Sequence, residues 1–119
     1  MENTEINKEQ FGEDFKWGVT ISAFQNEGAV AADGKGPSIW DTFSHKKGKI
    51  KTGETADEAC NFYYNTKEDI DLASQLNFEN FGFSVAWSRV FPDGKGQINQ
   101  KGIDFYNKVI DQCLEKGID

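Results

Sequence analysis

Two segments with a strict alternation of side chains constrain the fold of this chain more than any other feature. The first, FKWGVTIS at 15–22, carries large apolar side chains at its odd positions: Phe15, Trp17, Val19 and Ile21. The second, ENFGFSVAW at 79–87, repeats the arrangement: Phe81, Phe83, Val85 and Trp87. A period of two puts successive side chains on opposite faces of a strand. We therefore predict two strands, each with one apolar face and one face of small or polar residues.

A helical pattern follows the first predicted strand. Residues 55–76 open with Thr55 and Glu58 at the spacing of a capping box, and the same signal recurs at Thr66 and Asp69. Apolar residues at helical intervals complete the segment. We predict one helix over 55–76, with Thr66 as the place where it can bend.

A second helical pattern follows the second predicted strand. Asn99 is a suitable N-cap and Gly117 a suitable C-cap. An apolar stripe runs between them at helical spacing: Ile103, Tyr106, Val109, Ile110, Cys113 and Leu114. The order strand, helix, strand, helix predicts an α/β fold made of two βα units with parallel strands.

Two such units do not complete a core, because both outer strand edges remain unpaired. One face of the sheet is expected to meet the helices, and the face of small residues is expected to meet something narrow. We therefore expect residues 11–119 to be one segment of a larger fold. Residues 1–10 are expected to form a flexible N-terminal arm.

The charge and the apolar runs exclude several classes of partner. The net charge of −7 argues against nucleic acid, because such binding depends on Lys and Arg displacing counterions from phosphates. No segment approaches the ~20 apolar residues that cross a bilayer, and MENTEINKEQ lacks the apolar run of a signal peptide. We expect no nucleic-acid partner, no membrane partner and a cytoplasmic location.

The histidine and cysteine content argues against metal chemistry. His45 is the single histidine, and no CxxC motif occurs, so the usual metal-ligand clusters are not present and no cofactor is expected. Cys60 and Cys113 form a lone pair in a chain without an export signal, which is weak evidence for a disulfide. We predict two buried thiols.

Gln25 and Glu27 are the candidate functional residues after the first strand. Gln25 follows the carboxyl end of that strand, where loops of α/β barrels carry function, and its carboxamide suits the vicinal hydroxyls of a sugar. From spacing alone, a role in its own loop is equally supported. Glu27 has no second carboxylate from a separate segment with which to cleave a glycosidic bond, so we favour a structural role.

Other candidates favour structural interpretations. Arg89, just past the second strand, is expected either to order the following loop or to pair with an acid, and a structural partner is expected because an unpaired buried cation is costly. Trp40 and Trp87 could stack on a sugar, but a strand tryptophan is more often core, and we predict that Trp87 is core. The segments GKGPSI and GKGQIN match neither common phosphate-binding motif, so nucleotide binding is disfavoured.

Three ordered segments carry a family resemblance. They are FKWGVTISAFQNEGAVAADGKGPSIWDTFS, then ACNFYYNTKEDIDLASQL, then FSVAWSRVFPDGKGQINQKGIDFYNKVIDQCLEKGI. Together they resemble the N-terminal quarter of glycoside hydrolase family 1, the retaining β-glucosidases and their relatives. The resemblance implies that the chain contributes the first two βα units of a TIM (β/α)8 barrel, with the small-residue faces of both strands toward the barrel axis.

The resemblance also implies a function. The substrate would be a β-glucoside or a related β-galactoside, and Gln25 matches the glutamine that binds the terminal sugar. The two catalytic glutamates of the family belong to Thr-x-Asn-Glu-Pro and Glu-Asn-Gly segments. Neither motif occurs here, so the catalytic residues are expected outside this chain, which alone is expected to be inactive.

Gly82 departs from the family pattern, which usually has an arginine at this position, aimed inward at the nucleophile. We interpret the glycine through charge burial, since an axial arginine without its carboxylate would be an unpaired cation. The alternative function is a non-catalytic barrel fragment whose open strand edges associate with copies of itself. The expected protein partner is thus either the remainder of the barrel or a second copy.

Overall fold

The computed structural model describes residues 7–119 and centres on two short parallel strands, β1 (Gly18–Ile21) and β2 (Asn80–Phe83). Val19 pairs with Phe81 in their register. The predicted strand positions and parallel direction are confirmed, although both strands are shorter than predicted: pairing covers only Gly18–Ile21 and Asn80–Phe83, and helices begin soon after, at Ala23 and Trp87. The helices are α1 (Ala23–Asn26), α2 (Ile39–Ser44), α3 (Phe62–Gln75), α4 (Trp87–Val90) and α5 (Gln100–Glu115), with 3-10 turns at Lys8–Phe11 and Ala32–Gly34.

The two faces of the sheet differ as the alternation predicts. The helix-facing side chains lie in or against the hydrophobic core: Val19, Ile21, Phe81 and Phe83. On the opposite face, Gly18 and Thr20 are exposed. Period-two alternation fixes which residues share a face without any knowledge of the tertiary fold, and this is why the prediction succeeds.

Gly82 lies on the open face beside Thr20. A Cβ atom built at position 82 would lie 2.8 Å from Thr20 Cγ2. Since Thr20 is exposed, a longer side chain at position 82 would extend into solvent within residues 7–119. Contact with Thr20 is thus an obstacle to a side chain at position 82, and the interpretation through charge burial stays a hypothesis.

Helix α3 begins later than predicted. It starts at Phe62, after Asn61 in the left-handed conformation with φ of 56°, while residues 51–60 form turns, bends and irregular backbone. The predicted start at Thr55 is wrong, because the capping spacing there is not supported by a stripe of buried residues. Thr66 lies inside the continuous helix, where its hydroxyl donates to the Phe62 carbonyl at 2.7 Å.

Helices α3 and α5 enclose the core against one face of the sheet. The buried cluster combines residues from both helices, β2 and the C-terminal end: Phe62, Ile70, Ala73, Phe81, Phe105, Tyr106, Val109, Cys113 and Ile118. Asn99 precedes α5 as predicted, and Gly117 follows its C-cap with φ of 67°. Ile110 and Leu114, predicted as part of the apolar stripe, are 44% and 65% exposed within residues 7–119, so that part of the stripe is not covered by the described residues.

The last residue extends the sheet beyond β2. Asp119 N donates to Glu79 O at 2.9 Å, and Phe81 N donates to Asp119 O at 2.8 Å. These two bonds flank Asn80, which is the pattern of a parallel ladder. Asp119 therefore pairs with the edge of β2 through two backbone hydrogen bonds of the parallel type.

The two cysteines differ in their surroundings. Cys113 is buried in the core as predicted, whereas Cys60 is exposed, so the prediction for Cys60 is wrong. Cys60 lies in the irregular segment before α3, so it does not belong to the helix face that packs against the core. At the other end of the chain, residues 1–6 of the predicted arm lie outside the described residues.

Candidate functional site

A cavity of about 700 Å³ opens at the carboxyl ends of β1 and β2. The loops that follow the two strands supply its walls. Ser22 and Ser84 come from the strand ends, and Trp40 and Trp87 contribute aromatic surface. The carboxyl ends of parallel strands are where α/β folds place their functional loops. This cavity is therefore the candidate site of the described residues.

Gln25 lies beside this edge, in the short helix α1. The first turn of α1 is joined to the end of β2, because Ala23 N donates to Ser84 Oγ at 2.8 Å. At the other end of the turn, Asn26 Oδ1 accepts from Ser22 N at 3.0 Å. The Gln25 side chain is exposed and forms no hydrogen bond within residues 7–119. Its predicted role as a sugar ligand stays a prediction, and Gln25 is not part of the cavity wall.

Glu27 forms a buried ion pair with Arg89. Arg89 Nε donates to Glu27 Oε2 at 3.0 Å, and the Arg89 Nη2 to Glu27 Oε2 distance is also 3.0 Å. Glu27 is only 3% exposed and Arg89 only 1% exposed. Arg89 therefore has the acidic partner that the sequence predicted. Glu27 has the structural role favoured for it, since its carboxylate is already bound by the chain itself.

Tyr106 completes this buried cluster from helix α5. Its hydroxyl donates to Glu27 Oε1 at 2.6 Å and accepts from Ala86 N at 2.7 Å. Burial, together with the hydrogen bond to the Glu27 carboxylate, raises the pKa of the Tyr106 hydroxyl above its usual value of 10.0. The hydroxyl thus remains protonated and able to donate. Sequence analysis assigned Tyr106 only to the apolar stripe, and a helix pattern carries no signal for such a contact.

A second tyrosine supports Arg89 from the other side. The Arg89 guanidinium carbon lies 4.3 Å from the centroid of the Tyr63 ring, a cation–π geometry. The Tyr63 hydroxyl donates to Asp33 Oδ2 at 2.7 Å. Burial and this hydrogen bond raise the pKa of Tyr63 to about 12. The Tyr63 ring thus stabilises the positive charge of Arg89 in addition to the Glu27 carboxylate.

A second largely buried ion pair holds the wall formed by α2. Lys35 Nζ lies 3.0 Å from Asp41 Oδ2, and Asp41 also accepts from Ser38 N at 2.6 Å in a capping box. Burial alone would raise the pKa of Asp41, but the hydrogen bonds from the Ser38 backbone and Lys35 outweigh it and leave the pKa below 3.8. The analysis of the sequence missed this pair, although the spacing of Ser38 and Asp41 carries the capping signal.

Trp87 is 62% exposed, so its predicted place in the core is wrong. Strand β2 ends at Phe83, and Trp87 begins α4 instead of continuing the alternation. Its indole Nε1 donates to Gly94 O at 2.8 Å, and its ring stacks on Phe91 with centroids 4.6 Å apart. The ring is held in a fixed orientation at the cavity wall and offers an aromatic surface to a ligand.

Other chemistries find little support in the described part of the chain. Residues 7–119 contain no group of three or more His, Cys, Asp and Glu side chains that could hold a metal ion. Lys35, the lysine of the first Gly-Lys-Gly, is committed to Asp41 and to the carbonyl of Gly36. Within the same residues, no helix has both the length and the apolar character needed to span a bilayer.

Comparisons with known proteins agree on one family. The profile of Glycosyl hydrolase family 1 matches residues 7–119. The chain is 50% identical to β-glucosidase A of Thermotoga maritima over 113 aligned residues. The alignment covers 95% of this chain and 25% of that relative. The chain is also 47% identical to β-glucosidase 40 of Arabidopsis thaliana over 115 aligned residues. This alignment covers 97% of this chain and 22% of that relative.

Solved structures give the same result for the fold. The chain superposes on the Thermotoga maritima β-glucosidase in complex with glucoimidazole with a TM-score of 0.86 and 51% identity, covering 89% of this chain and 24% of that one. The chain thus spans about a quarter of the length of its relatives. It belongs to glycosyl hydrolase family 1, and its two βα units are an incomplete part of that family's (β/α)8 barrel.

Proposed function

We propose that this chain is the N-terminal part of a β-glucosidase that removes terminal non-reducing β-D-glucosyl or β-galactosyl residues with retention of configuration. The superposition on a β-glucosidase bound to glucoimidazole is the observation that carries the proposal. Both catalytic glutamates lie outside this chain in the proposal. Glu27, the carboxylate nearest to Gln25 in sequence, is held by Arg89 and Tyr106 and has no free oxygen for acid or base catalysis.

Within this proposal, Gln25 binds the sugar. It lies at the carboxyl end of β1, its side chain is exposed, and within residues 7–119 that side chain has no competing hydrogen-bond partner. A carboxamide offers both a donor and an acceptor to neighbouring hydroxyl groups. The exposed Trp87 ring, fixed by its hydrogen bond to Gly94, supplies apolar surface near the same edge.

A fusion protein tests the proposal. Residues 7–119 would replace the matching quarter of the Thermotoga maritima β-glucosidase, and hydrolysis of p-nitrophenyl β-D-glucoside would be measured. We expect turnover, and we expect Gln25→Ala to raise KM about tenfold, as for loss of a hydrogen bond to a polar ligand. Asn107→Ala, at an exposed position of α5, is the matched control. A folded fusion without turnover would contradict the proposal.

Open sheet edges favour a second candidate, a self-associating barrel fragment. Within residues 7–119, the outer edge of β1 has no partner strand. Leu72 on α3 and Leu76 just after it are 52% and 59% exposed, and Ile110 and Leu114 are exposed on α5. Unpaired strands and exposed apolar side chains favour association. Light scattering of the purified 119-residue chain tests this: a discrete oligomer supports it, and a monomer contradicts it.

A further inference from the structure

We propose that Glu27, Arg89 and Tyr106 are positioning residues for Gln25. They hold helix α1 in a fixed relation to the end of β2, and thereby set the affinity for the sugar. This inference rests on the proposed function, because it concerns the ligand that Gln25 would bind. It assigns to the buried cluster a role beyond the stability that any buried ion pair confers.

Helix α1 cannot fix its own position. It has four residues, Ala23–Asn26, and so short a helix has little intrinsic stability. Its backbone depends on contacts at both ends. The first end is joined to Ser84, and the second continues into Glu27, whose N–H donates to Ala23 O at 3.0 Å. Glu27 is two positions from Gln25, so a shift of Glu27 moves Gln25 as well.

The far side of the cluster is anchored independently of α1. The Tyr106 hydroxyl accepts from Ala86 N at 2.7 Å, just past the end of β2. The backbone carbonyl of Arg89 accepts from Asn99 Nδ2 at 2.9 Å, at the start of α5. The carboxylate of Glu27 is therefore joined to two groups whose positions are set by β2 and α5.

The contacts that join Glu27 and Arg89 are shielded from water by burial. Glu27 and Arg89 are almost completely buried, and Arg89 Nη1 has no hydrogen-bond partner within residues 7–119. Arg89 Nη2 also donates to the carbonyl of Gly28 at 3.3 Å, so the arginine contacts both the side chain of Glu27 and the backbone after it. In such surroundings, no water can replace a lost contact without rearrangement of the turn.

The same fusion protein, with residues 7–119 in the Thermotoga maritima barrel, allows a double-mutant test. The probe is the inhibition constant of glucoimidazole. Tyr106→Phe keeps the ring and the ion pair and removes the bonds of the hydroxyl to Glu27 and to Ala86 N, and we expect it to weaken binding about three- to tenfold. Glu27→Gln is the second variant. Tyr64→Phe, which alters an exposed tyrosine outside the cluster, is the control.

The decisive comparison is made in the Gln25→Ala background. If the cluster acts through Gln25, Tyr106→Phe and Glu27→Gln will weaken glucoimidazole binding there by less than twofold. Equal losses in both backgrounds would overturn the positioning role while leaving the proposed function intact. Loss of the fold in both variants would also overturn it, because the cluster would then be required for folding instead of positioning. An unsubstituted fusion that neither binds nor hydrolyses would overturn the proposed function as well.

Discussion

Gly102, in the first turn of α5, lies directly against the backbone carbonyl of Arg89. A Cβ atom built at position 102 would be 2.1 Å from Arg89 O, which is far inside van der Waals contact. The obstructing atom belongs to the backbone, so a side-chain rotation cannot relieve the contact. This close approach lets α5 reach the loop after β2 and bring Tyr106 to Glu27.

We therefore predict that Gly102→Ala destabilises the chain, although alanine is the better helix former. Overpacking of a buried site costs about 1–3 kcal/mol, and we expect a loss in this range. Urea unfolding followed by circular dichroism measures it. Asn107→Ala, at an exposed position of the same helix, should leave the unfolding free energy unchanged or slightly higher. Equal effects of the two substitutions would show that α5 can move away from Arg89 without cost.

Removal of the Arg89 charge should be among the most damaging single changes. Arg89→Met leaves the Glu27 carboxylate buried with only the Tyr106 hydroxyl as a side-chain partner. Breaking a buried ion pair in this way costs about 3–5 kcal/mol. The double variant Glu27→Leu/Arg89→Met removes both charges, and we expect it to unfold at a higher urea concentration than Arg89→Met alone.

Lys101→Met is the matched control for this prediction. Lys101 pairs with Asp33 at 3.2 Å, but its side chain is 72% exposed, so solvent already screens that interaction. We expect its urea midpoint to match that of the unsubstituted chain. A similar drop in the urea midpoint of Lys101→Met and Arg89→Met would mean that burial does not make the Glu27–Arg89 ion pair more costly to break.

The side-chain faces of the strands could be predicted from sequence, but the strand ends could not. Alternation is a local property, and it placed Phe81 on the core side correctly. The end of β2 is decided by the turn into α4, which brings Ala86 N to Tyr106. No local pattern records that contact. Trp87 was therefore assigned to the strand and to the core, although it lies beyond both.

The site shows the same limit at longer range. The need of Arg89 for an acid could be predicted from the cost of a buried charge, but the partner could not. Glu27 is 62 positions away in sequence, and Tyr106 is 79 positions from Glu27. Only the parallel pairing of β1 with β2 and the packing of α5 bring these three side chains together. Gln25 is a candidate from its position after β1, the family resemblance favours a sugar-binding role over a role in its own loop, and its surroundings leave that role to experiment.

Acid should remove the stabilisation that Asp41 provides. The pKa of Asp41 in the folded chain lies below 3.8: burial acts against this, but hydrogen bonds from Ser38 and Lys35 outweigh burial. In the unfolded chain the carboxyl has its ordinary pKa, so the unfolded state takes up the proton first as the pH falls. The stabilisation is thus complete above pH 3.8 and is lost as the pH falls through the lower pKa of the folded state.

We therefore predict that Asp41→Asn lowers the urea midpoint at pH 6, and that its difference from the unsubstituted chain shrinks below pH 3.8. Urea unfolding at a series of pH values from 6 downward measures the difference. Asp111→Asn, which changes an exposed carboxylate on α5, is the control and should show a small difference throughout. A difference for Asp41→Asn that does not change with pH would contradict a role for its charge.

His45 should titrate above its ordinary value because both ring nitrogens face acceptors. Nδ1 lies 2.7 Å from the carbonyl of Asp41, and Nε2 lies 3.1 Å from Asp57 Oδ2. The carbonyl contact and then the carboxylate raise the pKa of His45 above 6.5. Only the imidazolium form donates from both nitrogens, so the tie between α2 and the segment around Asp57 is complete below pH 6.5 and is lost as the pH rises through the folded-state pKa.

Nuclear magnetic resonance can follow this titration without assignment, because His45 is the only histidine in the chain. We expect a midpoint above 6.5 for the ring proton signal, and a lower midpoint in Asp57→Asn, where the carboxylate is removed and the carbonyl of Asp41 remains. Asp111→Asn, which alters an exposed residue of α5, should leave the midpoint unchanged. If Asp57→Asn also leaves it unchanged, the Asp57 carboxylate does not hold the protonated ring, and the segment around it is not tied to α2 by charge.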